Sequence, residues 1–200
     1  MPLTVDYYFA TVSPWAYLGH ARFVAMAQAA GASVRVKPVD LGEIFPVSGG
    51  LPLAKRAPQR QAYRLLELKR FSEFLCQPIV LQPKFFPVNA DDAAKLIIAV
   101  DMHDGSEAAM RIAGRILRGV WVDERNIADA RDLAKMLEEE GLPSQRLDDS
   151  MSQAVHQRYE QDSQRAIAAG VFGAPSYVVE GEIFWGQDRL DFLQRRLAQG

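Results

Sequence analysis

The sequence predicts an α/β fold in which a small sheet is begun by the first 40 residues, interrupted by a large all-helical insertion, and completed only at the C-terminus. Three observations predict it. Residues 3–38 read strand, helix, strand; helical patterns alone fill the stretch from 59 to 169; and strand-like alternation returns at Ser176. The length of 200 residues and a hydrophobic share of 48% suit one domain, or one domain with a large insertion, and are enough for a real core.

The elements follow in order. A β-rich run at 3–9 ends at Ala10-Thr11-Val12, and Ser13-Pro14 then supplies a preferred N-cap and a preferred first helical residue for a helix over 15–30. A second strand is expected at 33–38. Beyond Leu41-Gly42-Glu43-Ile44-Phe45, a Gly/Pro-rich loop at 46–58 leads into helical patterns at 59–75, 91–100, 105–122, 129–140 and 150–169. After Gly170, two short β-rich runs separated by Glu180-Gly181-Glu182 make a hairpin, and Asp188 is placed to cap a final helix over 189–199. This division gives a scaffold at 1–45 and 161–200 with a helical domain at 46–160 inserted into it. A cleft between the two is the expected ligand site.

Composition narrows the function. A formal net charge of −2 gives no cationic field for nucleic acid. No apolar run approaches the roughly 20 residues of a membrane span, and the start Met1-Pro2-Leu3-Thr4 lacks the pattern of a signal peptide, so a cytoplasmic protein is expected. The single cysteine, Cys76, excludes an intramolecular disulfide, fits a reducing compartment and reads as a small core residue. There is no internal repeat and no low-complexity segment.

Candidate chemistry is sparse. His20, His103 and His156 have no i, i+4 partner, so metal-ligand spacing is absent, and each reads as a surface or core-edge histidine. Glu138-Glu139-Glu140 reads as a solvated helix end, and Gly114 and Gly119 as sites of close helix packing. Arg56, Arg60 and Arg64 recur every four residues, which reads mostly as a solvated face paired with acids such as Glu67. Lys55 and Arg56 stand apart, because they follow the loop that leaves the scaffold; cations at a cleft mouth steer and clamp anions.

The most informative segment is Ser13-Pro14-Trp15-Ala16. Thioredoxin-type redox proteins carry a Cys-x-x-Cys dithiol at such a strand–helix junction, because the helix N-terminus stabilises a thiolate. Here serine and alanine occupy both cysteine positions, so no dithiol chemistry runs on this site. A serine hydroxyl there can still donate to a thiolate brought in by a ligand. Read alone, the tetrapeptide is also explained as a helix start.

Four segments in order resolve that choice: Asp6-Tyr7-Tyr8-Phe9 with Ser13-Pro14-Trp15-Ala16-Tyr17-Leu18; Phe86-Pro87-Val88-Asn89; Gly170-Val171-Phe172-Gly173-Ala174-Pro175-Ser176; and Trp185-Gly186-Gln187-Asp188-Arg189-Leu190. Over essentially its whole length the chain resembles the 2-hydroxychromene-2-carboxylate isomerases, in the kappa-class glutathione transferase and DsbA-like branch of the thioredoxin superfamily. The resemblance implies a thioredoxin-like fold with an inserted all-helical domain, a cis Pro175, glutathione as cofactor, a small aromatic carboxylate as substrate, and a homodimer. It implies that Ser13 hydrogen-bonds the glutathione sulfur, and that the backbone of Ala174 beside Pro175 pairs with the glutathione cysteine. Trp185, Gly186, Gln187 and Asp188 match the segment that receives the γ-glutamyl end.

On the substrate side Arg56 matches an arginine of the family. Phe45 stands where a lysine is expected, Lys55 where an asparagine is expected, and Phe85-Phe86 where a tyrosine is expected. The resemblance therefore carries the glutathione side further than the substrate side. It implies a glutathione-dependent cis/trans isomerase in aromatic-compound catabolism. A kappa-like transferase that conjugates electrophiles would use the same site. A non-catalytic binding protein, with Ser13 only a cap, is the reading from a different class.

Overall fold

A computed structural model of the protein describes residues 3–199. Strand β1 (Thr4–Phe9) leads into helix α1 (Pro14–Ala29) and strand β2 (Ser33–Pro38). Seven helices follow: α2 (Leu41–Ser48), α3 (Pro58–Leu75), α4 (Asp91–Asp104), α5 (Ser106–Trp121), α6 (Ala130–Glu139), α7 (Arg146–Ser150) and α8 (Gln153–Ala168). Strands β3 (Ser176–Val179) and β4 (Glu182–Trp185) and helix α9 (Leu190–Leu197) complete the chain. The sheet runs β2-β1-β3-β4. β1 and β2 are parallel from Thr4↔Ser33 to Phe9↔Pro38, while β3 returns antiparallel to β1 with Ser176 opposite Tyr8. The β3–β4 turn places Glu180 and Gly181 at φ 50° and 86°, the left-handed pair that suits a two-residue hairpin.

Alternation along β1 sorts its aromatics onto two faces. Tyr7 and Phe9 face α1, where Tyr7 stacks on Tyr177 with centroids 5.3 Å apart and packs against Phe23 at 4.8 Å. This core continues without a break into the inserted helices through Leu96, Ile97, Ile116 and Trp121. Tyr8 faces the other way, with Ile44, Ala166 and Val178 beneath α2 and α8. Each such fully buried side chain contributes on the order of 1.5–3 kcal/mol.

Several expectations need correction. The stretch 46–58 is not wholly loop: α2 runs through Pro46, because the Asp40 carboxylate accepts from Gly42 N–H at 2.6 Å and Ile44 anchors the helix in the core; a 3-10 turn follows at Leu53–Lys55. α7 is a separate short helix ahead of α8. Asp188 does not cap the final helix. A 3-10 turn over Gln187–Arg189 precedes α9, and the Asp188 carboxylate pairs with Arg189. Cys76 is exposed rather than core, because it is the left-handed residue (φ 52°) that ends α3. Arg56 precedes α3 and is not on its face, Arg64 is buried, and among the described residues neither pairs with Glu67. His20 lies inside the core at 6% exposure.

Candidate active site at the start of helix α1

Ser13 ends the segment that leaves β1. Its extended backbone (φ −80°, ψ 119°) and its side chain make it the N-cap of α1, with Oγ accepting from Ala16 N–H at 3.1 Å. The Ser13 carbonyl accepts from Tyr17 N–H at 3.0 Å, and Pro14 has no N–H to offer. Among the described residues Trp15 N–H alone is left without a partner in the first turn. A hydroxyl has one proton, and that of Ser13 points at the Ala174 carbonyl across 3.5 Å, longer than a good O–H···O bond. The site therefore offers two weakly engaged donors, Ser13 O–H and Trp15 N–H, at the positive end of a 16-residue helix. That arrangement suits an anion, a thiolate included.

Opposite Ser13 lies the segment before β3. The Ala174–Pro175 bond is cis, as the resemblance implies. Ser176 Oγ donates to the Gly173 carbonyl at 2.8 Å and pins the turn. The β1–β3 ladder begins only at Ser176, so Ala174 lies outside it, with its backbone open to an added strand. A Cβ at Gly173 would meet Trp185 Nε1 at 2.6 Å, so any larger residue here must displace the indole. Trp185 is half exposed and lies against Phe172 with centroids 4.9 Å apart.

The Trp185–Asp188 segment is brought alongside by β-pairing. Trp185 is opposite Ser176, and Gly186 N–H donates to the Pro175 carbonyl at 2.9 Å. Gly186 has φ 99°, and its missing Cβ leaves room for the Asp188 carboxylate. Gln187 faces inward at 2% exposure, where Arg22 of α1 holds both its backbone carbonyl, at 2.7 Å, and its side-chain oxygen. Gln187 thus orients the turn, and Asp188 is the exposed carboxylate of the segment.

The other side of the Ser13 site is held by three ties. Thr11 Oγ donates to the Ala90 carbonyl at 3.2 Å, Tyr17 O–H donates to the Pro78 carbonyl at 2.7 Å, and Trp15 meets Phe71 of α3 edge-on at 5.9 Å. These place α3 and the 86–90 segment beside the start of α1. Phe86, joined to Pro87 by a second cis bond, packs on Trp121 at 4.8 Å, and the Arg64 guanidinium lies over both rings. Burial lowers the Arg64 pKa and the charge of Arg56 lowers it further, while the Arg56 Nε donates to the Leu51 carbonyl at 2.8 Å. Phe45 and Lys55 are not drawn into this group. The Phe45 ring rests against Gly50, and Lys55 is exposed without an ion pair among the described residues. Sequence reasoning missed Arg22 and Trp121, whose roles come from packing and leave no motif. Arg64 carried a signal that went unused, since it recurs with Leu68 and Phe71 on the buried face of α3.

A cavity of about 770 Å³ lies elsewhere, between α1 and α5. Its arginines are neutralised, Arg115 by Asp123 and Glu139 and Arg111 by Glu140, so it lacks the open donors of the Ser13 site. Beneath it His20 is pushed by burial down to about 4 and stays neutral. Its Nε2–H donates to the Met110 carbonyl at 2.9 Å, which leaves Nδ1 to accept from Tyr7 O–H at 3.3 Å.

Comparison with known proteins places the fold. The family model for the DSBA-like thioredoxin domain matches residues 4–198. The chain is 29% identical to a 2-hydroxychromene-2-carboxylate isomerase of Sphingobium xenophagum over 98% of this chain and 99% of that protein. It is 20% identical to glutathione S-transferase kappa 1 of Rattus norvegicus over 99% of this chain and 92% of that protein. Among solved structures it superimposes on a 2-hydroxychromene-2-carboxylate isomerase with a TM-score of 0.81 at 26% identity, covering 98% of this chain and 95% of that one.

Proposed function

Because the chain belongs to the family of DSBA-like thioredoxin domains and has lost both sulfurs from the redox position, we propose that it is a glutathione-dependent isomerase. In this reading it converts 2-hydroxychromene-2-carboxylate, or a similar aromatic carboxylate, to its trans ring-opened isomer. One observation carries the reading: a serine hydroxyl whose proton has no good acceptor sits at the N-terminus of α1, facing a backbone segment that lies outside the sheet ladder. The named relatives support it.

The residues present fit glutathione. Ala174 offers strand-like backbone for a peptide. The exposed Asp188 carboxylate suits an ammonium, and the start of α1 suits a thiolate. When bound, glutathione supplies a thiol that adds reversibly to a conjugated carbon, so that a double bond becomes single and can rotate. Ser13 O–H and Trp15 N–H stabilise the sulfur as its anion. Gly186 and the buried Gln187–Arg22 contact hold Asp188 in place. Arg56 supplies positive charge where a carboxylate substrate enters. The scaffold of 1–45 and 161–200 then carries the glutathione side, and the insertion at 46–160 carries the substrate side. A homodimer in the cytoplasm completes the proposal; among the described residues no helix is long and apolar enough to cross a membrane.

The test is turnover of 2-hydroxychromene-2-carboxylate with and without glutathione, with free thiol measured throughout. Isomerisation that requires glutathione and leaves it undepleted is the expected result. An equal rate without it refutes the proposal. Stoichiometric loss of thiol points to the second reading, a kappa-like transferase, which the rat relative favours.

A further inference from the structure

Arg64 is a charge in an apolar position. It shares the inner face of α3 with Leu68, Phe71 and Leu75, at the i, i+4, i+7, i+11 spacing of a buried stripe, and it is only 9% exposed. An arginine so placed ordinarily holds a carboxylate, because a buried charge without a counter-charge is costly. Three other partly buried arginines of the protein follow that rule. Arg115 holds Asp123 and Glu139, Arg146 holds Asp104 and Asp149, and Arg158 holds Asp101 and Asp162.

Among the described residues Arg64 makes no ion pair and no hydrogen bond. What it does touch is aromatic: its guanidinium carbon lies 5.4 Å from the Phe86 ring centre and 5.6 Å from that of Trp121. Two ring faces favour a cation without neutralising it, and they leave the in-plane N–H donors unspent. Burial, and after it the positive charge of Arg56, push the Arg64 pKa down to about 10. Arg64 therefore stays charged at neutral pH. Its nitrogens are not among the sealed atoms, so they remain reachable from solvent. The chain keeps an unneutralised guanidinium on the side of α3 that packs, through Phe71, against Trp15 at the start of α1.

We propose that Arg64 is a specificity-determining residue of the substrate cleft: its forked N–H donors receive the carboxylate of an aromatic acid, with Phe86 and Trp121 holding the guanidinium in place. This rests on the reading above only in assigning the carboxylate to the second substrate rather than to glutathione. None of the substrate-side positions that the resemblance implies includes Arg64. The ligand completes the ion pair that the fold leaves open, and the partly exposed Phe86 ring beside the guanidinium suits a planar, conjugated body, while the buried Trp121 backs it from the core.

The experiment uses trans-cinnamate as probe, its uncharged amide as control and glutathione as a separate ligand, titrated by calorimetry into the wild type, Arg64→Met and Arg64→Lys. The wild type is expected to prefer cinnamate over the amide by about tenfold or more, as suits one forked charge-assisted contact. Arg64→Met is expected to lose that preference while binding glutathione within about twofold of the wild type. Arg64→Lys, which keeps the charge and loses the fork, should bind cinnamate with intermediate affinity. Should Arg64→Met fail to fold, the lysine variant decides.

Equal cinnamate binding by the wild type and the variants overturns the proposal, as does a wild type that does not distinguish cinnamate from its amide. Loss of glutathione with cinnamate retained also overturns it, by placing the carboxylate on glutathione. If glutathione fails to bind the wild type, the isomerase reading falls while the cinnamate comparison still judges Arg64.

Discussion

Replacing Ser13 separates its two roles, because the hydroxyl caps α1 with its lone pairs and serves a ligand with its proton. Ser13→Ala removes the acceptor for Ala16 N–H, which lies at 3.1 Å, and should cost roughly 0.5–2 kcal/mol of stability. It also removes the proton now aimed across 3.5 Å at the Ala174 carbonyl. A hydrogen bond to a charged group is worth about 1.5–3 kcal/mol, and each pKa unit corresponds to about 1.4 kcal/mol. The thiol of bound glutathione should therefore titrate about 1–2 units higher in Ser13→Ala than in the wild type. The assay is the ultraviolet absorbance of the bound thiolate across pH, read beside thermal unfolding of the same samples. Ser13→Asp supplies the contrast. It keeps an N-cap acceptor, so the fold should be nearly as stable, but it sets a negative charge where the thiolate forms and should raise the thiol pKa further. Identical thiol titrations in the wild type and both variants would refute the reasoning and reduce Ser13 to a helix cap.

His20 is buried neutral with its pKa pushed down to about 4 from 6.5, so the unfolded chain takes up its proton first as pH falls. Its contribution is fully present above pH 6.5 and is lost between 6.5 and about 4, by up to roughly 3 kcal/mol. His20→Gln, which can still accept from Tyr7 and donate to Met110, should flatten that acid limb in denaturant melts across pH. Gly19→Ala would set a Cβ 2.9 Å from Gln187 Cβ and 3.0 Å from the Tyr177 hydroxyl oxygen. A loss of about 1–3 kcal/mol is expected, together with weaker glutathione binding as the turn that carries Asp188 is displaced; calorimetry and thermal melts on one preparation check both. Cys76→Gly relieves a left-handed residue at the end of α3 and should stabilise the protein by about 1 kcal/mol. Neither this variant nor the wild type should reduce insulin above a no-enzyme control, since the chain holds a single thiol.

Local chemistry determined most of the elements. Ser13-Pro14 starts α1 because a hydroxyl and a fixed φ act within one turn, and the β1, β2 and β3 segments follow from short-range alternation. The closeness of the two segments proposed to hold glutathione was legible too, because strand pairing carries sequence order into space: Ser176 opposite Trp185 sets the Ala174 and Gly186 segments side by side. What failed were readings that depend on neighbours remote in sequence. Arg64 looks like one of a solvated stripe until Phe86 and Trp121 close over it, and Cys76 looks like core until the end of α3 turns it outward. Asp188 has the residue type of a cap, yet a 3-10 turn, held by Arg22 on Gln187, moves the start of α9 beyond its reach. Helix starts, turns and strands were determined by the sequence itself, since their energetics are settled within a few residues. Which polar groups are buried, paired or left open was decided only by tertiary structure, because the neighbours that desolvate or neutralise them come from other parts of the chain.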